Sequence, residues 1–492
     1  MTAASPQTGV APAGRLLRLT WTQPEDLVGH ELNQAAQDGR DPERVAAIAA
    51  RWRDAGGHPA PPRAGASPGP PPAGLRELAE RLLDELAALP SPLAEREPTD
   101  LAAIRAACPD WPAPRRAAAG RDGSDDREGR DGRDSRDELL ARLHAAWLGR
   151  AAGCVLGKPV EKLPLAGIRA LAQATGNWPL RTWFTARGLP REVAEAYPWN
   201  RRSRATSLAE TIDGAPEDDD LNYPLLGLLL LRRHGTAFTT ADVAALWLDT
   251  LPAGRTFTAE RVAYRNLLAG LEPPLTASYR NPFREWIGAQ IRADVFGWTH
   301  PGAPGRAAEL AHRDAVLTHT ANGVYGAMFT AAAVAAAAGG ATSADECLRT
   351  GLAVVPPGSR YAEAVRAGIE AARAHPGGDE EFAAVADRLH DRFAGHHWVH
   401  VLPNAALLAA ALTHAGGDFS GSICRVVSGG WDTDSNGATA GSITGLLAGS
   451  PGALPERWTA PLKNRLATSI GGFDGTGFDT LAAQTLELRE AA

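Results

Sequence analysis

Cysteine is scarce in this chain. Only Cys108, Cys154, Cys347 and Cys424 occur among 492 residues, with no C-x-x-C pair and no histidine at zinc-finger spacing. That excludes a disulfide framework and a structural zinc site, and it reads as a reduced, cytoplasmic protein. The opening segment MTAASPQTGVAPAGRLLRLTW lacks the charged and apolar regions of a signal peptide. Long apolar runs are missing too. The longest, Leu225–Leu231 and Ala331–Ala338, fall far short of the roughly 20 residues needed to cross a bilayer, so no membrane partner is expected. There is no basic excess: 50 Lys+Arg stand against 57 Asp+Glu, for a formal charge of −7. A nonspecific nucleic-acid binder needs a basic face, so that class is excluded, although a nucleotide-bearing substrate is not. Alternating β patterns are rare and βαβ order is absent, which weighs against a Rossmann-like sheet. No repeat occurs at solenoid periods.

What remains is helical. The chain is long enough for a large core and more than one domain, and 44% of it is hydrophobic. Residues 1–110 read as a smaller N-terminal helical region, with helices near Pro42–Ala55 and Leu75–Leu89 and a Pro/Gly/Ala-rich linker at His58–Gly74. The segment 111–136 is Arg/Asp/Gly-rich and reads as a flexible charged linker. Residues 137–492 read as a compact all-α domain. Helices are predicted at about 221–234, 241–250, 307–316, 323–338, 361–374, 379–394, 403–414 and 436–449. Many are rich in Ala and Gly, which favours close helix–helix approach.

Four segments could carry chemistry. In SGGWDTDSNGATAGSITGLLAG, Ser428–Gly449, a glycine turn leads into Asp432-Thr433-Asp434-Ser435, with a small-residue helix predicted from about Asn436. Two carboxylates and a hydroxyl at a helix head suit a hard cation such as Mg²⁺, and the free N–H groups there suit a phosphate. The plain alternative is a cap and a polar turn. A second acidic run, Glu217-Asp218-Asp219-Asp220, opens the apolar helix that follows. Adjacent like charges cost free energy unless water or a cation offsets them, though the helix dipole alone favours some acid there. Two such clusters together would suit a pair of divalent ions. In LGRAAGCVLGKPVEKLP, Leu148–Pro164, Gly149, Gly153 and Gly157 recur every four residues and are read as a helix-packing face. Glu161 follows the turn. In LTHTANGVYGAMFTAAAVAAA, Leu317–Ala337, His319 precedes a small-residue helix, the place of a cap or a packed polar group.

Taken in order, LGRAAGCVLGKPVE, EDDDLNY, LTHTANGVYGAMF and GGWDTDSNGATAG resemble the motifs of the ADP-ribosylglycohydrolase family, of the dinitrogenase reductase-activating glycohydrolase-like kind. The resemblance spans roughly Asp137 to Asp479. It implies an all-α fold and a site with two Mg²⁺ ions (Mn²⁺ being an alternative). Carried over as metal ligands are Glu217, Asp218, Asp219, Asp432, Asp434 and Ser435. Glu161 and Asp434 take the catalytic positions. His319, Ser428, Gly429, Gly430 and Trp431 take the substrate-binding ones. The chain departs from the pattern in several places. Glu217 stands where Thr or Ser is usual, Asp220 replaces a second Thr, and the three consecutive Asp leave the register open by one. Trp431 interrupts the Gly-Gly-Asp step and would bring a ring beside the cleft to stack on a base. Asn281–Gly302 stands where the substrate loop is expected.

The activity this implies is metal-dependent hydrolysis of the glycosidic bond of an ADP-ribosyl group or related ribosyl conjugate, through an oxocarbenium-like transition state. Two other readings remain open. One is an N-ribosyl hydrolase acting on a small NAD-derived or nucleoside metabolite. The other is an inactive ADP-ribose-binding or crystallin-like protein.

Overall fold

The computed structural model describes residues 22–61, 74–113 and 126–490, without the side chains of 126–134 and 490. The chain forms two compact units that divide between Ser91 and Pro92. The fold is all-α. Among the described residues β structure amounts to two isolated bridges, Ala215 with Leu466 and Trp286 with His400.

The first unit holds α1 (Pro24–Gln37), α2 (Pro42–Asp54) and α3 (Leu75–Ala87). Asp41 caps α2 through the N–H groups of Glu43 and Arg44, and Pro42 sits at the first helical position where its missing N–H costs nothing. Leu27, Val28, Trp52, Leu82, Leu83 and Leu86 form its core. Arg76 pairs with the buried Glu25 at 2.7 Å, and Arg51 with Glu85 at 2.6 Å.

The second unit runs α4 (Leu101–Ala107), α5 (Asp126–Gly157), α6 (Leu165–Ala174), α7 (Arg191–Ala196), α8 (Asp219–His234), α9 (Thr240–Thr250), α10 (Thr258–Leu268), α11 (Leu275–Ser278) and α12 (Asp294–Trp298). Next come α13 (Pro304–Ala315), α14 (Ala321–Ala338), α15 (Ala344–Leu352), α16 (Arg360–Ala374), α17 (Phe382–Arg392) and α18 (Val401–His414). The last are α19 (Phe419–Ser428), α20 (Thr433–Ala448), α21 (Glu456–Thr459) and α22 (Phe478–Glu490). Residues 92–110, read from composition with the N-terminal region, pack in this unit because Glu97 is bound there. Its carboxylate meets Arg360 at 2.6 Å and Asn322 at 2.8 Å. The segment expected as a linker is partly helical, since α5 begins at Asp126, while residues 114–125 lie outside the described ones.

Glycine sets how the central helices meet. A Cβ added at Gly153 of α5 would lie 1.9 Å from the carbonyl oxygen of Gly437 on α20, and one at Gly149 would lie 2.2 Å from that of Gly441. At Gly157 it would fall 2.3 Å from Thr433. The four-residue spacing puts all three on one face of α5, where two backbones touch directly. The hydroxyl of Thr433 donates to the Gly157 carbonyl at 2.8 Å and locks the end of this seam. By length and composition α14 could cross a membrane, but nearly all of it is buried inside the protein, as in a core helix.

Candidate metal centre

The seam delivers the end of α5 beside the start of α20, and α8 begins alongside them. Helix α20 starts at Thr433, earlier than the periodicity predicts, so Asp434 and Ser435 lie in its first turn. Gly430 (φ 86°) and Trp431 (φ 56°) take left-handed backbone conformations that turn the chain into it. Asn404 fixes that turn. Its side-chain oxygen accepts from the Asp432 N–H at 3.1 Å and from the Asn436 amide at 2.6 Å. Its own amide donates to the carbonyls of Trp398 and His400 at 2.9 and 2.8 Å.

Asp432 does not cap its helix, which removes the plain alternative for that residue. On α8, Asp218 is a cap, accepting the Asp220 N–H at 3.0 Å. Asp219 interacts electrostatically with Asp218, Glu161 and Asp432. Asp434 interacts with Glu161, Asp432, Asp218 and Asp220. The two acidic runs, two hundred residues apart, therefore converge.

The electrostatics follow from that convergence. Burial, reinforced by neighbouring carboxylates, pushes Asp219, Asp220 and Asp434 well above the ordinary carboxylate range. Burial also raises Asp432, to about 7. Asp218 goes the other way: burial works against its charge, but the Lys158 ammonium on it holds it below the usual range. Lys158 is itself buried and donates to Asp218 and to the Glu217 carbonyl at 3.3 Å. Arg150, fully buried on α5, donates to the Asp220 carbonyl at 2.7 and 2.9 Å and pairs with Asp294 at 2.7 Å. Glu161 is held by Asn200 at 2.7 Å and by Lys162 at 2.6 Å.

Glu217 is engaged elsewhere. One oxygen pairs with Arg255 at 2.7 Å and the other accepts from the Ser469 N–H at 3.0 Å. Ligand atoms of Cys154, Asp218 and Asp220 lie within 4.8 Å of one another, a group that could hold one metal ion. The donor set fits a hard cation: converging, partly desolvated carboxylates, with Asp220 Oδ1 buried and without a hydrogen bond.

The substrate-binding candidates take other places. His319 is fully buried. Its Nδ1 meets the Thr318 hydroxyl at 2.6 Å, and its Nε2 stands 4.0 Å from Glu260 in a network around Arg292. Among the described contacts it makes none with the acidic cluster. The Ser428 hydroxyl turns back to the Arg425 carbonyl at 3.0 Å. The Gly429 carbonyl accepts from His390 at 2.8 Å, while Gly430 supplies the turn. Trp431, expected to offer a ring to a base, is 7% exposed and stacks on His390 with centroids 3.9 Å apart. The stretch in place of the expected substrate loop, Asn281–Gly302, is almost wholly buried and carries Asp294, Arg292 and Glu285. Sequence reasoning missed Arg150, Lys158, Lys162, Asn200 and Asn404. A signal existed for Arg150, an arginine amid the Gly/Ala/Leu of an apolar helix.

A model of the ADP-ribosylglycohydrolase family matches residues 135–491. No curated protein matches. Among solved structures, one titled "ADP-ribosylglycohydrolase-related protein complex" aligns at 22% identity and a TM-score of 0.45, covering 72% of this chain and 99% of its own.

Proposed function

The chain belongs to the ADP-ribosylglycohydrolase family, and from this we propose that it hydrolyses the glycosidic bond of an ADP-ribosyl conjugate in a divalent-metal-dependent reaction. The observation that carries the metal dependence is that Asp219 meets Asp432, which in turn stands with Asp434. These are carboxylates from two helix starts, crowded together and raised by burial, with no cation of the described residues bonded to them. With the Ser435 hydroxyl they would hold Mg²⁺. When bound, such an ion supplies Lewis acidity toward ribose hydroxyls and a water.

The remaining chemistry falls to side chains. We assign Glu161 to accept the proton of the attacking water, because Asn200 and Lys162 fix its two oxygens while it stays partly exposed. Asp434 shares the site with it. The leaving bond is the one at the anomeric carbon, where positive charge develops and surrounding carboxylates stabilise it. The proposed subtype is dinitrogenase reductase-activating glycohydrolase-like, acting on an ADP-ribosylated side chain.

The test is a Mg²⁺-dependent assay against a panel of ADP-ribosyl conjugates and nucleosides, with products identified by mass. Asp434→Asn should lower turnover about 100-fold or more. Turnover near the wild-type rate in that variant, or unchanged turnover in excess chelator, would defeat the proposal. Release of free base from nucleosides alone would point instead to the small-metabolite hydrolase.

A further inference from the structure

We propose that Lys158 stands in for one of the two divalent cations, so that this centre holds a single metal ion beside a built-in ammonium; this rests on the metal-dependent reading above. Lys158 projects from the turn that ends α5, and its side chain is 8% exposed. Its ammonium lies on Asp218 Oδ2 and 3.3 Å from the Glu217 carbonyl. The other oxygen of Asp218 caps α8. Both oxygens of that carboxylate are therefore engaged within the protein.

Its neighbours Glu217 and Asp220 also have a cation of the chain close by. Glu217 has Arg255 on one oxygen and the Ser469 N–H on the other. Asp220 faces Arg150, whose guanidinium is 3.8 Å from its carboxylate. Of four consecutive acids, three thus meet a fixed cation of the chain. Only Asp219 is left, to join Asp432, Asp434 and Ser435.

The group formed by Cys154, Asp218 and Asp220 has the spacing of a metal site. It is also where the Lys158 ammonium sits, since both Asp218 and the Cys154 sulfur act on it electrostatically. A buried thiol is a poor ligand for Mg²⁺, which favours oxygen donors. A second dication there would have to displace a buried lysine from its carboxylate or stand against its charge. One cation position is therefore filled by the polypeptide, and one remains, bounded by Asp219 and the α20 acids.

Counting ions tests this without reference to turnover. Mn²⁺ would be titrated into the metal-free full-length protein by calorimetry, with EPR on the loaded samples. Wild type should bind one equivalent and give the spectrum of an isolated Mn²⁺ ion. Lys158→Met should bind two and give an exchange-coupled spectrum, while Lys158→Arg, which keeps the charge, should bind one. Two equivalents in wild type, or one in a folded Lys158→Met, overturns the proposal. No binding to wild type overturns the metal-dependent reading itself. If Lys158→Met does not fold, the wild-type stoichiometry still decides.

Discussion

Replacing Gly153 with alanine sets two effects of known size against each other. Alanine is the better helix former, worth about 1 kcal/mol over glycine in a helix interior. Propensity alone therefore predicts a more stable protein. The seam predicts the reverse. The new Cβ would lie 1.9 Å from the Gly437 carbonyl oxygen and 2.4 Å from its carbon. That neighbour is backbone, so no rotamer change relieves the clash. Restoring ordinary contact requires α5 and α20 to part by about 1.5 Å, and gaps of this size forfeit a quarter to a half of each dispersion contact or more. Overpacking costs about 1–3 kcal/mol, occasionally more, and the direct backbone contact places Gly153 at the upper end. Net destabilisation of about 2 kcal/mol is expected. The assay is urea unfolding followed by far-UV circular dichroism, comparing midpoints because a chain of this size need not unfold in two states. Gly254→Ala is the control, since nothing lies within 4 Å of a Cβ there. A Gly153→Ala midpoint at or above the wild-type value would refute the backbone contact.

Three other outcomes are expected. Arg292 is buried and paired with Asp314 and with Glu260 at 3.0 Å, so Arg292→Ala should cost about 3–5 kcal/mol by stranding two carboxylates, measured as a fall in unfolding midpoint. All four thiols are buried, and burial pushes Cys108 to about 11, Cys347 and Cys424 to about 12, and Cys154 up as well. Ellman's reagent at pH 8 should therefore label the native protein slowly and release four equivalents only in denaturant. In the N-terminal unit, burial, with help from His58, lowers His30 from 6.5 to about 4. Between those values the unfolded unit binds the extra proton, so its stability is intact above pH 6.5 and falls by about 3 kcal/mol as the pH drops to 4. Hydrogen exchange in Pro24–Gln37, corrected for intrinsic rates, should accelerate over that window, and less so in His30→Gln.

Legibility from sequence followed distance along the chain. Periodic helices such as Leu75–Ala87 and Pro304–Ala315 show in the pattern because helix period and apolar face are local properties, and Ala321–Ala338, buried nearly all round, shows by its alanine-rich composition. Thr258–Leu268 and Phe419–Ser428 went unread although each has an apolar face, because runs of 11 and 10 residues are short. The two acidic runs stood out because crowded carboxylates are conspicuous in any window. The cations that answer them did not, since Lys158 meets a carboxylate 60 residues away and Arg150 meets Asp220, 70 residues away. Trp431 illustrates the opposite failure: a conspicuous residue whose partner, His390, lies on α17 and covers its ring. The glycines of α5 announced a packing face but not its partner.

That partner lies near the far end of the chain. Gly153 and Gly437 can touch only after nearly three hundred intervening residues have been synthesised and gathered, so the seam is among the last contacts a growing chain can close. Until then the α5 glycines lack their mate, and the acids of α8 wait beside Lys158 without Asp432 and Asp434. Under the proposed metal-dependent reading, an emerging polypeptide would offer Asp219 without Asp432, Asp434 and Ser435, and acquisition of the ion would be deferred to a nearly finished fold.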